Sequence, residues 1–358
     1  MLIVTDARQR HGYHALPIAE IVQETPDTRT FVFDVPAELA DTYRYLPGQF
    51  CTVRAHVDGD LDGDPVLRCY SMSSAPATDT RLAVTVKRVA GGAMSNWLHD
   101  RVAVGDTLEL MPPSGTFVAK PNTTPLVALC GGSGVTPVYS LVKEALASGP
   151  RRVRVLYANR DADSVIFRAG FDQLAAAHPD RIDVRHHLDT DAGYLTADAI
   201  AEFVGADTGA DFYICGPTPF MDLAEAALAA AGVPAEQISI ERFGDVPVEA
   251  RLADTAPAGP DDDAAGPASL TIVLRGKTTT TDYTPGDTVL DAARRAGLKP
   301  PYSCELGNCA SCMALVKEGH VRMRQNNALT PEEVAEGWVL TCQGLPDTSV
   351  TVVEYEDL

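Results

Sequence analysis

A chain of 358 residues is long enough for two or three domains, and an apolar share of 45% is ample for several cores. A formal charge of −20 argues against nucleic acid or an anionic membrane surface as a partner. No run approaches the length of a membrane span, and residues 1–6 lack the basic and apolar stretches of a signal peptide. Eight cysteines scattered over this length fit a reducing compartment better than a disulfide framework, so a cytoplasmic protein is expected.

Residues 1–121 read as a strand-rich domain. Alternating runs at 30–35, 49–54 and 82–87 are separated by turns such as Pro47-Gly48 and Gly105-Asp106. Short strands at this spacing predict an antiparallel β-barrel, with one short helix over 94–99. An acidic turn at 58–63 matches the first half of an EF-hand loop, but position twelve would be Cys69 and the flanks read as strands. One candidate site is Arg68-Cys69-Tyr70-Ser71. A second follows Lys87, where Gly91-Gly92-Ala93-Met94-Ser95 is a glycine turn opening a helix. Such a turn offers free backbone N–H groups and the positive end of a helix dipole to a phosphate.

Over 122–247 the pattern changes. Apolar strands at 126–130, 153–157, 182–184, 212–215 and 238–240 alternate with helical stretches, including one to Ala147 and one over 219–230. That alternation predicts a parallel α/β sheet. Gly131-Gly132-Ser133-Gly134-Val135-Thr136-Pro137 leaves the first of these strands where a dinucleotide pyrophosphate docks in open α/β sheets. Pro137 replaces the last glycine of the full fingerprint. Val135 stands where a serine-hydrolase elbow needs glycine, and no acid–histidine pair accompanies Ser133. Beyond the second strand come Arg160 and Asp161. An acid there suits the ribose hydroxyls of NADH and an arginine the 2′-phosphate of NADPH, so both remain open. Cys215-Gly216-Pro217 and Glu241-Arg242-Phe243 end the last two strands. His186 and His187 adjoin each other on a strand, face opposite sides and do not chelate one metal.

Residues 248–268 collapse into Ala, Pro, Gly and Asp and read as a flexible linker. In 269–358 a strand at 270–274 turns at 275–277 into a threonine-rich second strand. Asp287 is expected to cap a helix ending at Gly297, and Thr330-Pro331-Glu332-Glu333 is a capping box. Between these helices lie Cys304, Cys309 and Cys312, with Cys342 far behind. C-x4-C-x2-C with a distant fourth cysteine is the spacing of a plant-type [2Fe–2S] cluster. Gly307, Ala310 and Ser311 are small enough to let loop N–H groups face sulfur. Structural zinc, which takes two separated cysteine couples, fits this spacing poorly.

Taken in order, Arg68-x-Tyr70-Ser71, Gly92-x-x-Ser95, Gly132-x-Gly134-x-x-Pro137, Cys215-Gly216-Pro217 and Glu241-x-Phe243 resemble the ferredoxin–NADP reductase superfamily. With the C-terminal cysteine pattern, the chain is similar nearly end to end to oxygenase reductase components, those of 3-ketosteroid 9α-hydroxylases first and phenylacetyl-CoA epoxidases next. The resemblance implies a flavin-binding barrel, a Rossmann-like nicotinamide domain and a β-grasp ferredoxin domain. It implies FAD and a [2Fe–2S] cluster as cofactors and NADH, or NADPH, as donor. Arg68 would contact the flavin pyrophosphate, Tyr70 would lie along the ring, and Gly92 and Ser95, with Lys87 nearby, would hold phosphates. Gly132, Gly134 and Thr136 would form the nicotinamide-nucleotide turn, with Arg160 beyond it and Gly216 and Pro217 beside it. Ser71, Cys215 and Glu241 would stand nearest the reacting atoms, and Phe243 would cover part of the ring system. The cluster ligands would be Cys304, Cys309, Cys312 and Cys342.

Residues and resemblance agree on a chemical logic. A nicotinamide gives up two electrons together and an iron–sulfur cluster accepts one, so a flavin belongs between them. The expected protein is a monomeric reductase feeding a separate terminal oxygenase, preferably of Rieske type. Glu305 and the surroundings of Cys309 are candidate docking elements. Rival readings are a di-iron epoxidase or cytochrome P450 as acceptor, and a redox-sensing subunit that does not turn over nicotinamide alone.

Overall fold

A computed structural model describes residues 11–57, 65–243 and 269–356, so the acidic turn at 58–63 and the linker at 248–268 lie outside the described residues. The first sheet has six antiparallel strands, β1 (His14–Thr25), β2 (Thr28–Phe33), β3 (Phe50–Ala55), β4 (Val66–Ser71), β5 (Leu82–Lys87) and β6 (Thr107–Leu110), in the order β4-β3-β6-β1-β2-β5. A bridge between Met72 and Val84 brings its two edges together and closes a barrel. Strand alternation explains the interior: Leu16, Ile18, Phe31, Phe33, Val53, Val84 and Val86 all point inward. Helix α1 (Ala93–Arg101) plugs the barrel with Met94 and Leu98, one turn apart and both buried.

The second sheet is parallel, in the order β11-β10-β7-β8-β9. Its strands are β7 (Leu126–Gly131), β8 (Val153–Asn159), β9 (Ile182–Leu188), β10 (Asp211–Gly216) and β11 (Ile238–Arg242). Helices α2 (Val135–Ala147), α3 (Arg168–Ala177), α4 (Ala197–Val204) and α5 (Thr218–Ala230) cover two faces, each with its own core. This is why β7 and β10 are buried at every position rather than at alternate ones. The chain runs outward from β7 to β9, then returns to lay β10 on the other side. The boundary between β7 and β10 is therefore the switch point at which such sheets bind ligands.

The third sheet is mixed, β13-β12-β18-β14-β16, with a β15–β17 ribbon beside it. Here β12 is Ser269–Leu274, β13 Lys277–Asp282, β14 Met313–Glu318, β15 Val321–Met323, β16 Trp338–Leu340, β17 Gly344–Pro346 and β18 Val352–Tyr355. Helix α6 (Val289–Arg295) lays Val289, Ala292 and Ala293 on this sheet, the β-grasp arrangement. Its cap is Thr288, not Asp287. Thr288 forms a reciprocal capping box with Asp291, while Asp287 turns to an ion pair with Arg295. One position separates the two readings, and the capping box is the stronger local device because it satisfies two backbone N–H groups at once. Helix α7 (Pro331–Ala335) starts with the capping box formed by Thr330 and Glu333.

The C-terminal domain rests directly on the barrel. Met111, just past β6, enters a core cluster with Leu290, Met313 and Leu340, and Ser311 Oγ lies 3.8 Å from its sulfur. The His11 imidazole meets the Glu333 carboxylate at 3.2 Å across the same junction.

Candidate functional site

Strand β4 carries the first group of candidates. Arg68, Cys69 and Tyr70 are half-buried and Ser71 is buried. Arg68 Nη1 donates to the Leu67 carbonyl at 2.8 Å. The rest of its guanidinium faces a cleft of about 710 Å³ between the barrel and the C-terminal domain. Arg54, Arg275, Arg294 and Lys299 line the same cleft, an unusual density of cations in a chain of charge −20. Arg54 is paired with Glu109 at 3.0 Å and Arg294 with Glu305 at 2.9 Å, so part of this charge is already balanced within the protein. Ser71 Oγ is buried with no hydrogen-bond partner, an arrangement that costs stability unless a ligand supplies the missing atom.

At the start of α1, Gly92 is the N-cap residue, and Ser95 Oγ accepts from the Val89 N–H at 3.1 Å. The Ser95 hydroxyl thus shapes the glycine turn and remains able to donate. Lys87 pairs with Asp27 at 3.6 Å, so its charge is committed within the barrel.

The nicotinamide candidates gather at the switch point. Gly132 has φ +53°, and its carbonyl accepts from Tyr157 Oη at 3.0 Å. A methyl group at Gly134 would lie 2.2 Å from the Cys215 carbonyl oxygen, and one at Gly216 would lie 3.0 Å from Gly131 N. The two turns are therefore locked face to face, and only glycine permits it. Pro217 approaches Gly131 from the α5 side. Thr136 is buried and donates to the Ser133 carbonyl at 3.0 Å, so it braces the turn.

Cys215 is fully buried, in register between Cys130 and Glu241 on the neighbouring strands. Burial raises its thiol well above the usual range, with Glu241 and Cys130 adding to the rise. A neutral, compact thiol offers space and not a nucleophile. Burial likewise pushes the Glu241 carboxyl up to about 8. Arg160 pairs with its own neighbour Asp161 at 2.9 Å, and Asp161 caps the turn that follows. Phe243 follows β11 and is exposed.

The four candidate cluster cysteines perturb one another's thiols in two pairs, Cys304 with Cys309 and Cys312 with Cys342. Two thiols per pair and two pairs match the two irons of a [2Fe–2S] cluster. Leu306 N and Asn308 N both donate to Cys304 Sγ at 3.4 Å, and Cys304 N donates to Cys309 Sγ at 3.4 Å. Left-handed backbone at Glu305, Gly307 and Ala310 curls the loop so that these N–H groups face sulfur.

Glu305 is not a docking acid. Its carboxylate accepts two bonds of 2.9 Å from Arg294, and its side chain is only 8% exposed. Cys309 is likewise buried.

Three residues at this site carry no local sequence signal. Arg294 holds Glu305 and stacks on Tyr302, 3.9 Å from the ring centre. Gln343 donates to the Glu305 carbonyl at 2.9 Å and lies 3.8 Å from Cys342 Sγ. Cys69 meets Ser303 at 3.2 Å, which brings the cluster loop against the strand of Arg68, Tyr70 and Ser71.

Known families match in the same order. Residues 15–118 match an oxidoreductase FAD-binding domain, 128–226 an oxidoreductase NAD-binding domain, and 272–347 a 2Fe-2S iron-sulfur cluster binding domain. The molecule is an NAD(P)H-dependent flavin and iron–sulfur oxidoreductase. The ferredoxin reductase component of 3-ketosteroid-9-alpha-monooxygenase from Mycolicibacterium smegmatis is 44% identical over 97% of this chain and 98% of that protein. A component of the 1,2-phenylacetyl-CoA epoxidase of Escherichia coli is 32% identical over 96% of this chain and 98% of its own length. Phthalate dioxygenase reductase shares the fold, with a TM-score of 0.57 and 23% identity over 98% of this chain and all of that one. The chain belongs to the family of multicomponent-oxygenase reductases that combine these three domains, and an oxygenase is its partner. No helix among the described residues is long and apolar enough to cross a membrane.

Proposed function

We propose that the chain is the NADH-dependent reductase of a Rieske-type terminal oxygenase that hydroxylates a 3-ketosteroid, working as a monomer in the cytoplasm. Four segments carry the work: the FAD-binding barrel 1–121, the nicotinamide domain 122–247, the tether 248–268 and the [2Fe–2S] domain 269–358. When bound, the flavin supplies the exchange between a two-electron donor and a one-electron acceptor. Arg68 and the turn at Gly92 and Ser95 hold its phosphates, Tyr70 lies along its ring, and the unpartnered Ser71 hydroxyl donates to it. Gly132, Gly134 and Gly216 admit the nicotinamide nucleotide closely, with Cys215 leaving room for the ring. Cys304, Cys309, Cys312 and Cys342 hold the cluster.

The observation that carries this reading is the 3.2 Å contact between Cys69 on β4 and Ser303 beside Cys304. One strand thereby serves the flavin site and touches the cluster loop. The steroid assignment leans on the 44% relative over the 32% one. Anaerobic titration with NADH and then NADPH, followed by mixing with purified oxygenases, tests it. Flavin and cluster bands should bleach with NADH, and a steroid oxygenase should turn over. Turnover only with an epoxidase would replace the partner, and failure of NADH to reduce an artificial acceptor would favour a redox-sensing subunit. Because partner recognition by a chain of charge −20 is electrostatic, added salt should slow delivery to the oxygenase more than direct dye reduction. Equal slowing of both would remove that claim.

A further inference from the structure

Helix α2 starts at the nicotinamide turn and, further along, grips the loop that leaves the flavin strand β4. Thr136, Ser140 and Glu144 follow one another at intervals of four and so share a face. Thr136 braces the turn through the Ser133 carbonyl. Ser140 is fully buried, and its hydroxyl donates to the Ser74 carbonyl at 2.6 Å. Glu144 accepts from the Ala77 N–H at 3.0 Å. Beside them Lys143 donates to the Asp79 carboxylate at 2.5 Å, and the same oxygen takes the Ala75 N–H at 2.7 Å.

Ser74 is itself fixed to the barrel. Its hydroxyl meets Tyr45 Oη at 2.6 Å and accepts from the Ala83 N–H at 2.9 Å. It stands just beyond Ser71, whose buried hydroxyl ends β4 without a partner. From Thr136 to Ser140 is one helical turn, about 6 Å of rise. A stiff arm of that length therefore runs from the nicotinamide turn to the flavin loop. Leu141, next along α2, comes within 3.3 Å of where a Gly48 side chain would start, so the barrel meets this helix at a second loop.

We propose that Ser140 and Glu144 are positioning residues for transfer from nicotinamide to flavin: they hold the nucleotide turn of one domain at a fixed separation from the flavin loop of the other. Neither touches a reacting atom, and both act through the backbone of residues 74–77. Transfer between two bound rings needs near-contact geometry, and a misplacement of about 1 Å can cost roughly a hundredfold in rate. The nucleotide itself is held by the turn at Gly132 and Gly134, so the clamp governs rate and not affinity. This rests on the reductase function proposed above.

The test uses the full-length, flavin-loaded protein and takes two readings. One is anaerobic flavin bleaching at saturating NADH, with the NADH dissociation constant measured beside it. The other is amide hydrogen exchange over residues 74–79. Native protein comes first: a flavin that NADH does not bleach would sink the reductase reading, and this proposal with it. With native bleaching established, protein carrying both Ser140→Ala and Glu144→Ala should keep its flavin and bind NADH within about twofold of native, yet bleach roughly tenfold more slowly. Alanine is a good helix former, so α2 itself is not endangered. Exchange over 74–79 should rise in the same protein. Glu144→Gln keeps an acceptor for Ala77 without the charge and should match native protein in both readings, while Glu144→Ala should not. Native bleaching in the double variant overturns the proposal, as does a loss confined to NADH affinity. A Glu144→Gln variant as slow as Glu144→Ala overturns it too. So does loss of flavin, because the contacts would then hold the barrel loop together and not space the two domains.

Discussion

The two glycine turns of this molecule open helices in the same way, yet they are held by different forces. The turn before α2 is fixed from outside: Gly134 lies against the Cys215 carbonyl with no room for a single carbon, and Gly216 returns the contact to Gly131. The turn before α1 is fixed from inside. Gly91 adopts φ +72° with nothing within 4 Å of where a methyl would stand, and Gly92 is crowded mainly by Ser95 and Val89 of its own turn. Glycine supplies close approach in the first case and backbone freedom in the second. The first turn is thus coupled to the whole parallel sheet, and the second answers only to its own helix.

That contrast is broken most severely by Gly134→Ala. The added methyl meets backbone atoms of two residues on β10, which cannot rotate aside. Forced separation of the strand ends should cost about 3 kcal/mol in denaturant unfolding and abolish NADH reduction of the flavin. Flavin content should survive, because the barrel is not involved. A variant that binds NADH normally would show that the two turns have slack.

A pH series sharpens the comparison at the sheet-coupled turn. Glu241 stands beside Cys215, and burial raises its carboxyl from 4.5 to about 8. A folded-state value above the unfolded one gives stability that is full below about pH 4.5 and is lost as pH rises through about 8. Wild type should therefore lose stability relative to Glu241→Gln across that window, and the gap should flatten above it. Melting temperatures that run parallel from about pH 5 to 9 would show that Glu241 is not protonated in the folded state.

Legibility in the sequence followed the range of the forces involved. Spacing within one loop pointed to the 2Fe-2S domain, and period-two alternation was enough for strands such as 82–87, because both are set by neighbours in the chain. The capping box at Thr330 was readable for the same reason, while Asp287 misled because two adjacent residues can both cap and only the fold chose Thr288. What sequence could not convey was contact between distant segments. Nothing near Glu305 announces that Arg294 will take both its oxygens, and nothing near Cys69 announces a serine 234 positions later. Likewise Arg160 and Asp161 read as competing signals for the donor nucleotide, when each is the other's partner.

The smallest effect belongs to the self-held turn. In Gly91→Ala the new methyl enters open space, so packing is unaffected and only the left-handed backbone resists. That resistance is about 1 kcal/mol for an ordinary residue. The variant should fold, bind NADH as wild type does, and lose a little flavin during gel filtration as the turn relaxes. Gly91→Asn, which tolerates the same backbone region better, should recover most of the loss. A Gly91→Ala defect as large as that of Gly134→Ala would mean that the first turn is also held from outside, and the distinction between the two would disappear.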